Sequence, residues 1–243
     1  MTEALFRDDA SLLVCEAVIT AVSEAGIQLD RSVFYPQGGG QAGDAGCLRR
    51  SDGAALRIVD TRKGGEPDGI LHLLAPDADL GGWQVGQRVQ AVIDAERRWA
   101  HRRFHTATHL LCALVPHPVD GCSITASYAR LDFHMTEPLD KEALNAGIAR
   151  LVAAAHPVRQ RWISEAELDA NPGLVRSMSV QPPRGAGRVR LVEVVGIDLQ
   201  PCGGTHVDNT ADIGPVIVTK IEKKSAKTRR VVLGFAEPAA GRS

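Results

Sequence analysis

Two histidines, His105 and His109, stand four positions apart in the segment "HRRFHTATHLL". Side chains four positions apart on a helix are neighbours, so two imidazoles spaced in this way can meet one metal ion. They can also form a catalytic pair or lie together on a helix surface by coincidence. A metal site would need further ligands from another segment of the chain.

A second pair of potential ligands, Cys202 and His206, lies in the segment "PCGGTHV". The two glycines between them allow a tight backbone turn, which would bring a thiolate and an imidazole together. Imidazole nitrogen and thiolate sulfur are ligands that zinc prefers, and zinc requires no redox chemistry from the protein. The two pairs together therefore predict one zinc ion held by His105, His109, Cys202 and His206.

Two residues on the same helix face, His101 and Cys112, are alternative ligands. Four residues strung along about three helical turns cannot converge on one ion, so we expect these two to flank the site. Thr106 follows His105, at the position where zinc proteases carry a glutamate that acts as general base. A hydrolase built on this site would take its base from another segment or from the substrate.

A glycine-rich segment, "FYPQGGGQAGDAG", lies in the first part of the chain. One interpretation is a flexible turn of a β domain. The other is a loop that lets the backbone approach a ligand closely, with hydrogen bonds from Gln41 and Asp44. The Lys-Ser/Thr ending of a phosphate-binding loop is missing. The residues of interest in this loop are Gly38, Gly39, Gly40, Gln41 and Asp44.

Basic residues are grouped in two places, although the formal net charge of the chain is only -1. A charge run is usually a solvated face, but two runs in the half that holds the metal ligands favour an anionic partner. Contacts with a phosphate backbone would position such a partner without reading its bases. The predicted contact residues are Arg102, Arg103, Lys223, Lys224, Lys227, Arg229 and Arg230.

The chain changes character near residue 93. Residues 1–93 contain short, β-branched segments separated by glycine-containing turns and show no useful helical pattern, which predicts a small β-barrel or sandwich. At Asp94 a helical pattern begins with an N-cap aspartate and stops at Pro116. Its apolar stripe, which we expect to face the core, consists of Phe104, Ala107, Leu111 and Leu114.

Residues 94–243 continue with a mixture of strands and helices. We expect a single strand over "SITASYARLDFHM", a helix over "PLDKEALNAGIARLVAAA", a strand over "PVRQRWI" and a short helix with a capping box at Ser164. Three more strands are predicted over "RVRLVEVVG", "GPVIVTKIE" and "RRVVLGFA". The predicted fold class is therefore α+β, with an N-terminal small β-barrel domain (1–93) followed by an α+β domain (94–243) whose sheet is mainly antiparallel.

The composition is that of a soluble globular protein, with 44% hydrophobic and 23% charged residues. The five cysteines are scattered and odd in number, which argues against a disulfide framework and suits a reducing compartment. The N-terminal segment carries acids where a signal peptide has bases, and no stretch approaches the roughly 18 apolar residues of a membrane span. We therefore predict a cytoplasmic protein without a membrane partner.

Taken together, these segments resemble the free-standing alanyl-tRNA editing proteins of the AlaX family, relatives of the editing domain of alanyl-tRNA synthetase. The resemblance covers the glycine-rich segment, "ERRWAHRRFHTATHLL", "ARLDF", "VRLVEVVGIDLQPCGGTHV", "NTADIG" and the closing "RRVVL". The combination of HxxxH with CGGTHV is highly specific for this superfamily. The glycine-rich segment and the N-terminal β domain point to the longer type of the family.

The resemblance implies a zinc-dependent deacylase that hydrolyses mischarged tRNA for alanine and needs no ATP. Its substrate would be chiefly Ser-tRNA(Ala), with Gly-tRNA(Ala) as a further candidate, and Ala-tRNA(Ala) would be spared. His105, His109 and Cys202 would hold zinc, with His206 as a fourth or looser ligand. Gln41 and the neighbouring glycines would line the site, and Thr125 is the candidate for a threonine hydroxyl that selects the amino acid.

Three other interpretations stay open. The chain could be a non-catalytic tRNA-binding module whose zinc is structural, and such a module would bind tRNA without turnover. It could also be a metallohydrolase for a small ester or amide, although the basic clusters disfavour this. Finally, it could edit a different mischarged tRNA.

Overall fold

The computed structural model describes residues 2–64, 69–176 and 187–236. The chain divides into two compact units, Met1–Trp99 and Ala100–Ser243. This division falls inside the first helix, whereas the sequence placed the domain boundary at residue 93. The described residues have an α+β architecture with predominantly antiparallel sheets, which confirms the predicted fold class.

The first unit contains a closed six-stranded barrel, with strand order β2-β3-β7-β6-β5-β8. Its interior is aliphatic, since alternate residues such as Ile19, Leu48 and Ala91 are fully buried. This arrangement confirms the barrel and excludes the sandwich that the sequence left open. The strands of this unit are β1 Glu3–Ala4, β2 Val14–Ser23, β3 Gly26–Leu29, β4 Arg31–Ser32, β5 Gly46–Arg49, β6 Ala55–Lys63, β7 Ile70–Leu74 and β8 Arg88–Ile93.

The second unit combines helices with two antiparallel sheets. One sheet has the order β14-β15-β10-β9 and the other the order β11-β12-β13. The helices are α1 Ala95–Leu114, which begins before the division between the units, α2 Lys141–Ala153 and α3 Glu165–Ala170. The strands are β9 Val119–Ile124, β10 Ala129–His134, β11 Val158–Ser164, β12 Arg188–Val194, β13 Asp198–Pro201, β14 Val216–Ser225 and β15 Thr228–Phe235.

The core of the second unit forms around α1. Phe104, Ala107 and Leu111 of the predicted stripe are fully buried, and Leu114 is partly buried against the same cluster. The opposite face of the helix is also buried: its two histidines, His105 and His109, are only 5% and 3% exposed. Buried ring nitrogens are costly unless they are hydrogen-bonded or bind a metal, so these two histidines require polar partners.

One predicted strand is wrong in its extent. The segment predicted as one strand over "SITASYARLDFHM" is the end of β9, a turn at residues 125–128 and the whole of β10. Thr125 and Tyr128 close this turn, since the Thr125 amide donates to the Tyr128 carbonyl at 2.9 Å. The polar, small residues of the turn were the available signal for the break.

Two predicted helix starts are confirmed in their side-chain detail. Asp94 caps α1, as predicted, by accepting a hydrogen bond from the amide of Arg97 at 3.0 Å. Helix α2 instead begins at Lys141 with Asp140 as its cap, three positions after the predicted start. Ser164 and Glu167 form the predicted capping box of α3, each side chain bonding the backbone of the other residue. Among the described residues, no helix is long and apolar enough to cross a membrane.

Candidate metal centre

The structure brings the four predicted ligands together in the second unit. One potential ligand atom from each of His105, His109, Cys202 and His206 lies within 4.8 Å of those of the other three. Helix α1 supplies two of them from successive turns, and the segment that follows β13 supplies the other two. The two ligand pairs, each brought together by its local spacing, therefore meet in one cluster as the sequence predicted.

Two distances from the sulfur of Cys202 suit a small tetrahedral ion. Sγ of Cys202 lies 3.3 Å from Nε2 of His105 and 3.2 Å from Nε2 of His206. Ligand atoms that each lie ~2.0–2.3 Å from a tetrahedral zinc ion are about 3.3–3.8 Å apart from one another. The donor set of three imidazoles and one thiolate is also one that zinc accepts. The residues present thus fit a zinc ion.

The imidazole of His109 is oriented by a buried carboxylate. Nδ1 of His109 lies 2.9 Å from Oδ2 of Asp198, which also accepts a hydrogen bond from the Gln200 side chain at 2.8 Å. The second oxygen of Asp198 lies 3.5 Å from the guanidinium of Arg176. Because a carboxylate only accepts, Nδ1 carries a proton, and Nε2 is the nitrogen that remains to face the cluster. Such a carboxylate–histidine pair is the usual second layer of a zinc site.

His206 is held in the same tautomer by Thr106. The Thr106 hydroxyl donates to the Arg102 carbonyl at 3.0 Å and accepts from the Val207 amide at 3.2 Å. Its remaining lone pair faces Nδ1 of His206 at 3.2 Å. The hydroxyl has one proton and two acceptor sites, so Nδ1 of His206 donates to it and Nε2 is left for a metal.

Two buried arginines fix the segment that carries Cys202 and His206. Arg190 donates from Nη1 to the carbonyls of Cys202 and Gly204, each at 2.9 Å. Arg102 donates from Nε to the carbonyl of His206 at 2.6 Å. These bonds satisfy backbone carbonyls in a segment that belongs to no regular element, so the ligand pair is held on a defined backbone.

The charges within the cluster favour a thiolate. Burial opposes ionisation of Cys202, but the imidazoles of His105 and His206 outweigh it and hold the pKa of the thiol well below its ordinary value. Burial lowers the pKa of His206 well below its usual range, which keeps that imidazole neutral. Burial also lowers the pKa of His109, but the bonds to Asp198 and Cys202 outweigh it and raise that pKa to about 9. A deprotonated thiol and a neutral imidazole are the forms that bind a metal ion, so Cys202 and His206 are prepared for one, whereas binding at Nε2 of His109 displaces a proton.

The two alternative ligands stay outside the cluster, as the sequence predicted. Neither His101 nor Cys112 belongs to the group of four among the described residues. Burial raises the pKa of the Cys112 thiol to about 12, so this sulfur is protonated at neutral pH.

The glycine-rich segment forms a tight turn within the first unit. The amides and carbonyls of Gly38 and Gln41 bond each other at 3.1 and 3.0 Å, and the φ angles of Gly39 and Gly40 are 58° and 87°. Two successive positive φ angles define a type I′ turn, which glycine adopts without steric cost. The turn interpretation is thus present in the structure, and a role of these glycines at a ligand stays a prediction.

Asp44 is buried in the first unit instead of lying at its surface. Its carboxylate forms an ion pair with Arg98 at 2.5 Å and accepts a hydrogen bond from the Tyr35 amide at 2.7 Å. Arg98 also donates to the carbonyls of Ala10 and Val33. In the structure, Asp44 therefore links the start of α1 to the rest of the first unit through Arg98 and Tyr35.

The two predicted substrate-contacting side chains lie in different environments. Gln41 is fully buried within the first unit. Thr125 is half-buried at the β9–β10 turn, where its hydroxyl lies 3.0 Å from the Tyr128 carbonyl and accepts from two backbone amides. Their contact with an amino acid stays a prediction.

The seven predicted tRNA-contact residues differ in exposure. Lys223, Lys224 and Lys227 are exposed around the tip of the β14–β15 hairpin. Arg230 is partly buried in an ion pair with Asp132 at 2.7 Å, and Arg103 is partly buried over the ring of Phe235. The two remaining residues, Arg102 and Arg229, are buried and donate to backbone carbonyls within the unit.

Sequence reasoning missed the residues that surround the ligands, namely Asp198, Gln200, Thr106 and Arg190. One signal was available in "IDLQPC", where Asp198, Gln200 and Cys202 alternate as residues on one face of a strand do. No local pattern marks Thr106 or Arg190. Thr106 contacts His206, 100 positions later, and Arg190 contacts the carbonyls of Cys202 and Gly204, 12 and 14 positions later.

Comparison with known proteins places the chain in a family. Residues 5–97 match the family described as tRNA synthetases class II (A), and residues 189–232 match the threonyl and alanyl tRNA synthetase second additional domain. The alanyl-tRNA editing protein AlaX-M of Methanosarcina mazei is 33% identical over 99% of this chain and 99% of its own length. That of Methanosarcina acetivorans is 34% identical over 95% of this chain and 98% of its own.

The chain belongs to the AlaX family of alanyl-tRNA editing proteins. The resemblance stated from the motifs is thereby confirmed. An alanine–tRNA ligase of Archaeoglobus fulgidus is 34% identical over 91% of this chain, but the match covers only 24% of the ligase. The family therefore corresponds in sequence to one part of a much longer synthetase.

Proposed function

We propose that the protein removes wrongly attached amino acids from tRNA for alanine. Its substrate is chiefly Ser-tRNA(Ala), with Gly-tRNA(Ala) as a second substrate, and Ala-tRNA(Ala) is left intact. The observation that carries the proposal is the convergence of His105, His109, Cys202 and His206 within 4.8 Å in a chain of the alanyl-tRNA editing family. The cofactor is one zinc ion per chain, and ATP is not required, since ester hydrolysis is itself favourable.

The reaction consumes one water molecule and breaks the bond between the ester carbonyl carbon and the terminal ribose oxygen. The oxygen of the water forms a new bond to the carbonyl carbon and one of its protons passes to the ribose oxygen, so the products are a free amino acid and a tRNA with its terminal hydroxyl restored. When bound, zinc supplies Lewis acidity and an anchor for the substrate at this position. Asp198 and Thr106 keep the Nδ1 protons of His109 and His206 in place, so both imidazoles present Nε2 to the ion.

Editing by a separate hydrolytic site has a physical reason. A pocket that binds alanine cannot strongly reject a residue that only adds a hydroxyl, whereas a pocket that hydrogen-bonds that hydroxyl rejects alanine efficiently. Thr125 is the proposed hydroxyl partner for serine. Thr125→Val should then reduce the preference for Ser-tRNA(Ala) over Ala-tRNA(Ala) while leaving zinc content unchanged.

The proposed tRNA contact is electrostatic and local. Lys223, Lys224 and Lys227 are exposed around the tip of one hairpin in the unit that holds the metal ligands. Each lysine that neutralises one phosphate should contribute about one unit to the slope of log affinity against log salt concentration. Replacing all three by glutamine should therefore weaken binding of tRNA and reduce the salt dependence.

The test is deacylation of Ser-tRNA(Ala), Gly-tRNA(Ala) and Ala-tRNA(Ala) by the wild-type protein and by Cys202→Ala. We expect the wild-type protein to release serine but not alanine. This activity should be abolished by the substitution and by a chelator, and added zinc should restore it after chelation. Cys47→Ala is the matched control, because this cysteine lies in the barrel unit and should leave the activity intact.

Binding of tRNA without release of any amino acid would contradict the editing proposal and support a binding module with structural zinc. Release of serine from several unrelated tRNAs, or rapid hydrolysis of a small ester with no dependence on salt, would support a broader hydrolase.

A further inference from the structure

An exposed tryptophan lies on the outer strand of the three-stranded sheet. Trp162, in β11, is 39% exposed, and Cζ of Arg188 in β12 lies 4.5 Å from the centre of its ring. Arg188 is exposed as well. An indole of which more than a third faces water, paired with a guanidinium, combines a flat apolar surface with a positive charge.

Trp162 is in register with the metal ligands across the sheet. It is directly opposite Arg190 in the antiparallel β11–β12 pair, so the two side chains lie on one face. The Cys202 amide in turn donates to the Arg190 carbonyl at 3.1 Å, which continues the alignment beyond β13. Neighbouring strands are about 4.8 Å apart, so the backbones of Trp162 and Cys202 are separated by roughly 10 Å.

Arg190 lies between them on β12, and the indole of Trp162 stays 39% exposed beside it. Its Nε donates to the Gln160 side chain at 2.7 Å, and its Nη1 donates to the carbonyls of Cys202 and Gly204. The guanidinium thus links the outer strand to the ligand segment through hydrogen bonds. The same sheet face therefore runs from the metal cluster across a fixed cation to the exposed ring.

We propose that Trp162 and Arg188 form a stacking platform for an unpaired base near the 3′ end of the tRNA, with Arg188 also pairing with a phosphate. This inference rests on the proposed function, which places the terminal ester at the metal cluster. A base near that ester lies within the roughly 10 Å that separates the cluster segment from Trp162. Unpaired bases are commonly bound by aromatic stacking, and any base can stack because each has a π-face.

The test compares binding of uncharged tRNA for alanine with binding of the same tRNA trimmed of its unpaired 3′ nucleotides. Trp162→Leu, which keeps an apolar side chain but removes the ring, should weaken binding of intact tRNA by about 5- to 150-fold, the range that base stacking contributes. Binding of the trimmed tRNA should change little. Trp162→Phe, which retains an aromatic face, should recover most of the affinity.

Trp99→Leu is the matched control, because Trp99 is 40% exposed and lies in the other unit. Zinc content should be that of the wild type in every variant, which separates loss of stacking from loss of folding. Equal binding of intact tRNA by wild type and Trp162→Leu, or an equal loss for intact and trimmed tRNA, would overturn the platform. Because uncharged tRNA is the ligand, the outcome is independent of whether the protein deacylates Ser-tRNA(Ala).

Discussion

The carboxylate of Asp198 lies 2.9 Å from Nδ1 of His109 and is completely buried beside it. Burial raises the pKa of Asp198, but the hydrogen bond and the charge of His109 outweigh it and hold that pKa below its ordinary value. The two residues are 89 positions apart in the chain. Strand β13 therefore supplies a carboxylate that orients one of the predicted ligands, four residues before it leads into Cys202.

We expect Asp198→Asn to lower zinc affinity by about 10- to 100-fold, because an amide accepts less strongly from Nδ1 and the ring loses its orientation. Competition with a chromogenic chelator would measure this. Asp208→Asn is the control, since the Asp208 side chain is 87% exposed and water screens its ion pair even though the partner Arg102 is buried. Equal zinc affinities for wild type and Asp198→Asn would contradict the orienting role.

Thr106→Val should lower both stability and zinc affinity. The substitution leaves the buried amide of Val207 without its acceptor and releases Nδ1 of His206. The expected cost is about 1–3 kcal/mol in the free energy of unfolding, the range for a buried polar group that loses its partner. Thr106→Ser keeps the hydroxyl and should behave like the wild type.

Thr108→Val provides a second comparison on the same helix turn. Thr108 is buried and donates to the carbonyl of His105 at 2.7 Å. Its loss removes one helix-internal bond and should cost less than the loss of Thr106, with zinc affinity retained. Equal effects of the two valine substitutions would mean that His206 does not depend on Thr106.

Asp44→Asn should destabilise the barrel unit by about 3–5 kcal/mol, because it leaves the guanidinium of Arg98 as a buried charge without its counter-ion. Urea unfolding, followed by the fluorescence of Trp83 with Trp99 and Trp162 replaced by phenylalanine, reports on this unit, since Trp83 belongs to the barrel core. Glu3→Gln breaks an exposed pair with Arg31 and should cost less than about 1 kcal/mol.

The stability of the barrel unit should fall in mild acid because of His72. Burial lowers the pKa of this histidine from 6.5 to about 4, and the hydrogen bond to the Ile27 carbonyl opposes the shift only in part. Nδ1 donates to that carbonyl at 3.0 Å, so Nε2 accepts from Ser32 at 2.8 Å and the neutral ring is fully bonded.

A folded-state pKa below the unfolded value means that the unfolded chain takes up the proton first. The contribution of neutral His72 is fully present above pH 6.5 and is lost as the pH falls toward 4. The stability lost in this way amounts to about 2 kcal/mol by pH 5. Unfolding free energies of the barrel unit at pH 7.5 and 5, again from the Trp83 signal, would show this difference, and His72→Gln should reduce it by that amount. An unchanged pH dependence in His72→Gln would refute the assignment.

Local patterns in the sequence were sufficient to predict most elements of this fold. The helix α1, the capping box at Ser164 and the strands of the closing hairpin follow from periodicity and capping residues, which act between neighbours in the chain. The break within "SITASYARLDFHM" was missed, because the small polar residues of the turn are a weak local signal and the pairing of β9 with β10, which fixes the break, is visible only in the structure.

The sequence by itself determined the residues that form the metal cluster, because the donor chemistry and the spacing within each pair are local properties. Only the tertiary structure decided what surrounds them. Asp198 and Thr106 reach their histidine partners across 89 and 100 positions, and residue type alone does not reveal such contacts. Likewise, Arg102 and Arg229 were predicted from a charge run to contact an anionic partner, and only the structure shows that both are buried against backbone carbonyls. Burial is a property of the packed sheets and helices, and no short segment of sequence contains it.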